Sequence, residues 1–420
     1  MTSLVYVFLA LGLSIVLWAV VYKDEFFTPI KVYAVSYSLT MGVSFLALHP
    51  GMTPLKVKTW FFLIGAFIAF ALGYAMVRMV WFTYNPRFKA TLPAQPAEYS
   101  WRAHYAGSFA VLAFYSVGVA VYIYYVGGLA VFSKDVHLIM NRNFNLGLWS
   151  YVYASYPAVI VLFGVGAFKA LNPHKRLRTI SKIVVFVVLI LATLTFPSRG
   201  LLMQSIAVLV IMYNFLSKRI KPTLILLSVV AAIGLFILIA FARNQFGTDV
   251  EGIAIKKVLT LPYLYFANNF WNLDFAINPP TDFEIHPFTY GMDFFNGLTQ
   301  ISPVGYQLVQ SYNWDNLFND RIQKVAGLNT IVYLWEFYKD WGLFGVIFFP
   351  ALLGAFIGFL YHKMLATWQP RVIIFYAWIL FFVAWSFMVE SYKSGLMWLC
   401  TILALLVTQA AKHSGRKSIP

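Results

Sequence analysis

The chain has 420 residues, of which hydrophobic types make up 61% and charged types only 11%, less than half the ~25% charge of an ordinary soluble domain. With a mean hydropathy of +0.74, this composition excludes a soluble globular protein, a disordered chain and a disulfide scaffold. A net charge of +16 would point to nucleic acid in a soluble chain; here its placement along the sequence makes it a membrane signal instead.

A helix needs about 20 apolar residues to cross a bilayer. Eleven segments meet that need, roughly 3–21, 30–48, 59–82, 105–126, 149–168, 181–197, 200–216, 222–242, 342–361, 372–389 and 395–411. The first lacks the charged start and small-residue cleavage site of a signal peptide, so we expect a retained span. The second is diluted by Tyr33, Ser36, Tyr37, Ser38 and Thr40. The single cysteine, Cys400, lies inside the last apolar run and allows neither an internal disulfide nor a cysteine-based metal site.

Lysine and arginine near span ends set the orientation. One set of connections holds 19 of the 31 basic residues and only three acids, Asp24, Glu25 and Glu98. The opposite set balances 12 basic against 12 acidic residues, so the whole excess sits on one side. That side is expected to be cytoplasmic, with the C-terminus inside and, for eleven spans, the N-terminus outside. The predicted fold class is an all-α polytopic membrane protein of about 11 transmembrane helices with one large extracytoplasmic loop. Its three parts are an eight-helix membrane region at 1–242, the large loop at 243–341, and three C-terminal helices with a tail at 342–420.

Charged residues at span edges are costly and mark candidate function. Arg199 stands in Phe196-Pro197-Ser198-Arg199-Gly200, where two apolar helices meet almost without a loop. Pro197 ends the first helix because it has no N–H to donate. Arg243 closes the eighth span on the same side. Each arginine alone reads as a snorkelling anchor. Together they read as a cationic site, since the guanidinium fork suits phosphate. Arg321 and Lys324 are candidates to join them, or else form a solvated loop face.

The 99-residue connection 243–341 is far longer than ordinary loops and too aromatic to be disordered. The stretch Ile253–Ala276 reads as an amphipathic helix at the interface. The loop carries Asp274, Asp282, Glu284, His286 and Asp293. A base for a sugar hydroxyl must be a carboxylate or a histidine. His286 is the first candidate, since an unperturbed imidazole titrates near ~6.5, with Asp282 beside it. Asp282 and Glu284 also have a spacing that a divalent cation accepts in a loop, though surface loops share that pattern. Further on, Glu336, Lys339 and Asp340 share one helical face just before the ninth span. Glu336 is the second candidate base. Gly342 and Gly345 permit a break and re-entry. Gly354 and Gly358 form a small-residue pair for helix packing. Asp135, His137 and Arg142 lie in a shorter outer loop, and Glu390 with Lys393 flanks the last outer turn. No zinc cluster, nucleophile triad or phosphate loop is present, so no metal and no cofactor are expected.

Three of these features, in this order, give a resemblance. They are the Ser198-Arg199-Gly200 turn, Arg243 in Ala-Arg-Asn-Gln-Phe-Gly, and the aromatic stretch from Asn329 to Gly342. The chain resembles the bacterial O-antigen and enterobacterial-common-antigen polymerases, the Wzy-type oligosaccharide repeat-unit polymerases. The layout extends over most of the chain, the motifs over about a tenth of it. The resemblance implies a GT-C-like inner-membrane glycosyltransferase whose active site faces the periplasm. Such an enzyme joins repeat units carried on undecaprenyl diphosphate into O-antigen, common antigen or exopolysaccharide. Its partners would be the lipid-linked glycan donor and acceptor, membrane lipid, a chain-length regulator and a flippase, with no nucleic acid. Arg199 and Arg243 fall on the motif positions implied to hold diphosphate. An O-antigen ligase, which passes the glycan to the lipid A-core, shares this architecture. A flippase or transporter of lipid-linked oligosaccharide predicts repeated halves and charges near the midplane; the candidate charges here sit at the outer edge.

Overall fold

A computed structural model describes residues 2–22, 24–44, 46, 54–85, 99–129, 148–195, 199–225, 227–228, 234, 255–278, 330–387 and 394–417. Among them the regular elements are all helices: α1 (Thr2–Tyr22), α2 (Pro29–Ser44), α3 (Val57–Tyr84), α4 (Trp101–Val126), α5 (Leu148–Tyr153), α6 (Tyr156–Ala167), α7 (Lys175–Thr195), α8 (Arg199–Leu216), α9 (Ile255–Ile277), α10 (Leu334–Thr367), α11 (Pro370–Trp385) and α12 (Gly395–Lys417). Among the described residues, five helices are long and apolar enough to cross a membrane: α3, α4, α7, α10 and α12 through Lys412. Shorter apolar helical stretches run Tyr6–Tyr22, Tyr151–Ala167, Leu201–Leu216 and Pro370–Trp385. Most of the expected eighth span and of the loop after it lies outside the described residues.

The chain forms two compact units. The first comprises Met1–Arg87, Lys221–His362 and Phe382–Gly395; the second comprises Phe88–Ile220, Lys363–Phe381 and Leu396–Pro420.

In the first unit α1 and α2 form an antiparallel hairpin, with Gly12 against Leu39 and Gly42 against Leu9. The α2–α3 pair is also antiparallel: Tyr33 stacks on Phe70 at 3.9 Å and Tyr37 meets Phe67 at 6.2 Å. By contrast α3 and α10 run parallel. Gly65 faces Ile347, and Trp81 faces Phe359 and His362. Between these points the two backbones touch. A Cβ on Gly73 would stand 1.9 Å from the Ala351 carbonyl oxygen, and one on Gly354 would stand 2.1 Å from that of Phe70. Only glycine permits such an approach, the usual device for packing helices where lipid removes the hydrophobic drive.

The run α10 is two helical pieces joined at Gly342, whose φ of 61° and ψ of −144° are non-helical. Phe337 and Phe349 are twelve residues apart, which a straight helix would separate by about 18 Å. Their rings stack at 4.9 Å, and Trp341 stacks on Phe349 at 4.3 Å. The piece Leu334–Trp341 therefore folds back on the long piece that follows. At two points along its length, Tyr263 and Asp274, α9 reaches the α2–α3 hairpin. The Tyr263 hydroxyl donates to the Ser44 carbonyl at 2.9 Å, at the end of α2. Asp274 meets Lys56 and Thr59, at the start of α3.

In the second unit α6 forms the core: Tyr156 through Gly166 are all buried. A helix apolar on every side is stable only when covered on every side. It runs antiparallel to α4, with Phe109 on Phe163 and Tyr115 on Tyr156 at 5.2 and 6.4 Å. It runs parallel to α8, with Gly164 against Leu209 and Phe168 against Tyr213. Antiparallel to α4 lies α12, where Gly107 meets Val407 and the Ser100 N–H donates to the Ala411 carbonyl at 3.0 Å. The predicted fifth span is two helices here. The Ser155 hydroxyl turns back to the Val152 carbonyl at 2.7 Å, and Pro157, without an N–H, starts α6 afresh.

Candidate functional site

The first unit collects polar side chains where a membrane protein has few reasons to bury them. They come from α9, from the segment Thr330–Trp341, and from the ends of α2 and α3. Along α9, Asn268, Asn269, Asn272 and Asp274 are all buried. The Asn272 amide donates to the Thr330 carbonyl at 2.8 Å. Three residues on, the Tyr333 hydroxyl meets that of Tyr33 at 3.0 Å, and the Tyr333 N–H donates to the Ser386 carbonyl at 3.0 Å. Burial pushes the Tyr333 phenol above its ordinary range, with a smaller opposing pull from the Tyr33 hydrogen bond. It is therefore a neutral hydrogen-bonding group rather than a base. Tyr37 and Ser38 are fully buried next to this contact, and their hydroxyls have no hydrogen-bond partner among the described residues.

Asp274 ties α9 to α3. Its carboxylate accepts the Lys56 N–H at 2.9 Å, the Thr59 hydroxyl, and the Asn278 amide at 3.3 Å. A carboxylate at a helix N-terminus meets free N–H groups and the positive end of the dipole. Lysines complete the joint from the other direction. Lys56 donates to the Asn278 carbonyl at 3.3 Å and Lys58 to the Ile277 carbonyl at 2.8 Å, which satisfies the negative end of α9. Lys58 also reaches the Tyr338 hydroxyl at 3.2 Å and lies 5.3 Å over that ring. The folded-back piece Leu334–Trp341 is thus moored to α2, α3 and α9 through Tyr333, Tyr338 and the preceding Thr330.

On that piece Glu336 and Lys339 form an ion pair at 3.1 Å, one turn apart, with side chains only 8% and 5% exposed. Asp340 is fully buried. Charges are almost never buried to this degree without partners, because desolvation costs several kcal/mol per ion. The three-residue face read from the sequence is therefore turned inward. The site offers carboxylates held away from bulk water, an ammonium beside one of them, and amides and phenols that exchange hydrogen bonds with hydroxyl groups.

Of the remaining sequence candidates, Arg199 is the first residue of α8, in the second unit. Asp282, His286, Arg243, Arg321, Lys324, Glu284, Asp293, Asp135, His137, Arg142, Glu390 and Lys393 lie outside the described residues. Among the described residues no group of three or more His, Cys, Asp or Glu is placed to hold a metal ion. Sequence reasoning missed Lys56, Lys58 and the three asparagines of α9. Amides clustered on an otherwise apolar helix were the available signal. The polar residues that dilute α2 were a second one, since Tyr33 and Tyr37 prove buried. In comparisons with known proteins the chain matches no family model, no curated protein and no solved structure.

Proposed function

We propose that this chain is a bacterial inner-membrane glycosyltransferase that polymerises undecaprenyl-diphosphate-linked repeat units at the periplasmic face. In this reading it has eleven spans, a cytoplasmic C-terminus and a large periplasmic loop. The observation that carries it is the inward-facing set Glu336, Lys339 and Asp340 on a segment that breaks at Gly342 and folds back. Carboxylates removed from water are the equipment of a general base. Undecaprenyl diphosphate is already a good leaving group, so no nucleotide site is needed.

The reaction is a displacement at the donor's anomeric carbon. The acceptor hydroxyl oxygen bonds to that carbon, the carbon–oxygen bond to the diphosphate breaks, and undecaprenyl diphosphate departs with the electron pair. The hydroxyl proton passes to the base. Glu336 fits that role by burial and by its position in the motif stretch. His286 and Asp282 are the loop candidates for the same role. Arg199 and Arg243, with Arg321, hold the diphosphate and stabilise the charge that develops on it. Asn268, Asn269, Asn272 and the tyrosine hydroxyls supply hydrogen bonds of the kind sugar rings use.

The test is in vitro polymerisation of synthetic lipid-linked repeat units by the purified protein. Products longer than two units support the reading. Transfer to a lipid A-core acceptor without elongation replaces it with a ligase, and movement of lipid-linked glycan without bond formation replaces it with a transporter.

A further inference from the structure

A second polar feature of the first unit lies far from Glu336, near the opposite end of α3. Tyr74, Arg78 and Phe82 follow at four-residue steps and Trp81 lies three after Arg78, so the four share one broad face of the helix. Against this stripe α10 places His362. Its imidazole lies between two rings, Trp81 at 5.6 Å and 19°, and Tyr74 at 6.4 Å and 22°. Phe82 stands almost perpendicular to it at 5.6 Å. Tyr361 also stands steeply to it at 5.4 Å, so the nitrogens on the ring edge are enclosed by aromatic side chains. His362 is only 4% exposed, and neither Nδ1 nor Nε2 has a hydrogen-bond partner among the described residues. A buried polar group without a hydrogen bond destabilises a fold. Two on one side chain need a reason.

Arg78 supplies the second half of the pattern. Its guanidinium lies 5.8 Å over the Phe82 ring, and it carries five N–H donors. Among the described residues no carboxylate pairs with it. It stands in an exposed apolar band that includes Met76, Met79 and Val80, on a helix long enough to cross a membrane. The surroundings of such a band are lipid. An arginine fork on α3 and an imidazole on the α10 face packed against it both donate to phosphate oxygens.

We infer that Arg78 and His362 form a binding site for the phosphate of an anionic membrane phospholipid. The headgroup bonds the Arg78 edge, the half-exposed Phe82 ring turns aside, and the imidazole edge closes on the remaining phosphate oxygens. The acyl chains lie along the apolar band of α3. Positively charged residues cluster at this end of the helices in the sequence, with Arg87 and Lys89 following α3 and Lys363 following His362, which favours an anionic headgroup over a zwitterionic one.

The experiment is a lipid titration of delipidated full-length protein followed by native mass spectrometry. The probes are phosphatidylglycerol, phosphatidylcholine and inorganic phosphate. The site predicts that phosphatidylglycerol binds at least about tenfold tighter than phosphatidylcholine, and that Arg78→Gln weakens it about tenfold. His362→Phe keeps a flat ring in the stack and removes only the nitrogens. It should leave the unfolding temperature of the lipid-free protein unchanged or raised, yet weaken phosphatidylglycerol binding. Unchanged binding in both variants overturns the site. Displacement of the lipid by inorganic phosphate overturns the phospholipid as its occupant.

Discussion

Glu336 and Lys339 bury opposite charges against each other, and that arrangement separates chemistry from stability. Removing one member of a buried pair costs about 3–5 kcal/mol because the other charge is stranded. Lys339→Met should therefore lower the unfolding temperature of the purified protein markedly. Glu336→Gln leaves an amide of the same shape. It keeps an acceptor for Lys339 but not the counter-charge, so it too should lose stability, and it should lower polymerisation by about 10²-fold or more, the scale of a proton-transfer residue. Full turnover in Glu336→Gln with loss in His286→Ala would move the base into the loop. Asp274 is a different kind of residue. Its replacement by alanine strands the Lys56 N–H and the Thr59 hydroxyl proton, while the Asn278 amide keeps the Thr59 oxygen and the backbone carbonyl of residue 274 as acceptors. We expect a loss of about 1–3 kcal/mol, read as a lower unfolding temperature, with Asp274→Asn milder because it retains an acceptor. If the proposed diphosphate role holds, Arg199→Ala and Arg243→Ala should each end chain elongation while the protein remains in the membrane. Normal long-chain polysaccharide on a gel from either variant would remove that residue from the site. The face shared by Glu336, Lys339 and Asp340 was legible in the sequence because a helix repeats every 3.6 residues. The role of Asp274 was not, because its partner Lys56 is 218 residues away.

Among elements, the glycines of α10 divide into two kinds. Gly342 holds a backbone conformation that a side chain strains by about 1–3 kcal/mol, so Gly342→Ala should destabilise the fold-back. Gly354 and Gly358 look equivalent as a small-residue pair four apart, yet their surroundings differ. A methyl group on Gly354 collides with the Phe70 backbone at 2.1 Å, while one on Gly358 meets only the Tyr74 ring at 3.0 Å. A backbone atom cannot step aside and a ring can. Gly354→Ala should therefore lower the unfolding temperature well below that of Gly358→Ala; equal values would contradict the α3–α10 contact. Hydropathy located most of these helices, because a long apolar run has few other uses. It missed the interruption at Ala154–Ser155, since averaging over a window erases a two-residue break between apolar pieces. It also began α7 six residues late, because Lys175, Arg176 and Arg178 lower the average while remaining good helix formers.

For the whole molecule, helix direction carries information about topology. Two parallel spans require an odd number of crossings between them. Between α3 and α10 the described helices supply α4, the broken pair α5–α6, α7 and α8, which are four crossings if each spans the bilayer. One more crossing between Ser217 and Thr330 is then required, and the sequence offers 222–242 for it. Reporter fusions should place Lys218 inside, Asn316 outside and the C-terminus inside. A cytoplasmic signal at Asn316 would break the argument from direction as well as the one from charge. The antiparallel α1–α2, α2–α3, α4–α6 and α4–α12 pairs and the parallel α6–α8 pair obey the same alternation.

The parallel contact of α3 with α10 also sets a timetable. Neighbouring spans that pair as a hairpin, such as α1 and α2 at Gly12 and Leu39, meet within a few tens of residues of synthesis, but a parallel pair cannot. Gly73 leaves the ribosome roughly 280 residues before Ala351, the residue whose carbonyl it touches. At ~5–20 residues per second that interval is roughly 15–55 s. Throughout it the glycine face of α3 lies in the bilayer without its partner, while every intervening span is inserted. The nascent chain thus keeps one seam open until its last quarter arrives, and the long piece of α10 that closes it follows directly on the short piece that carries Glu336.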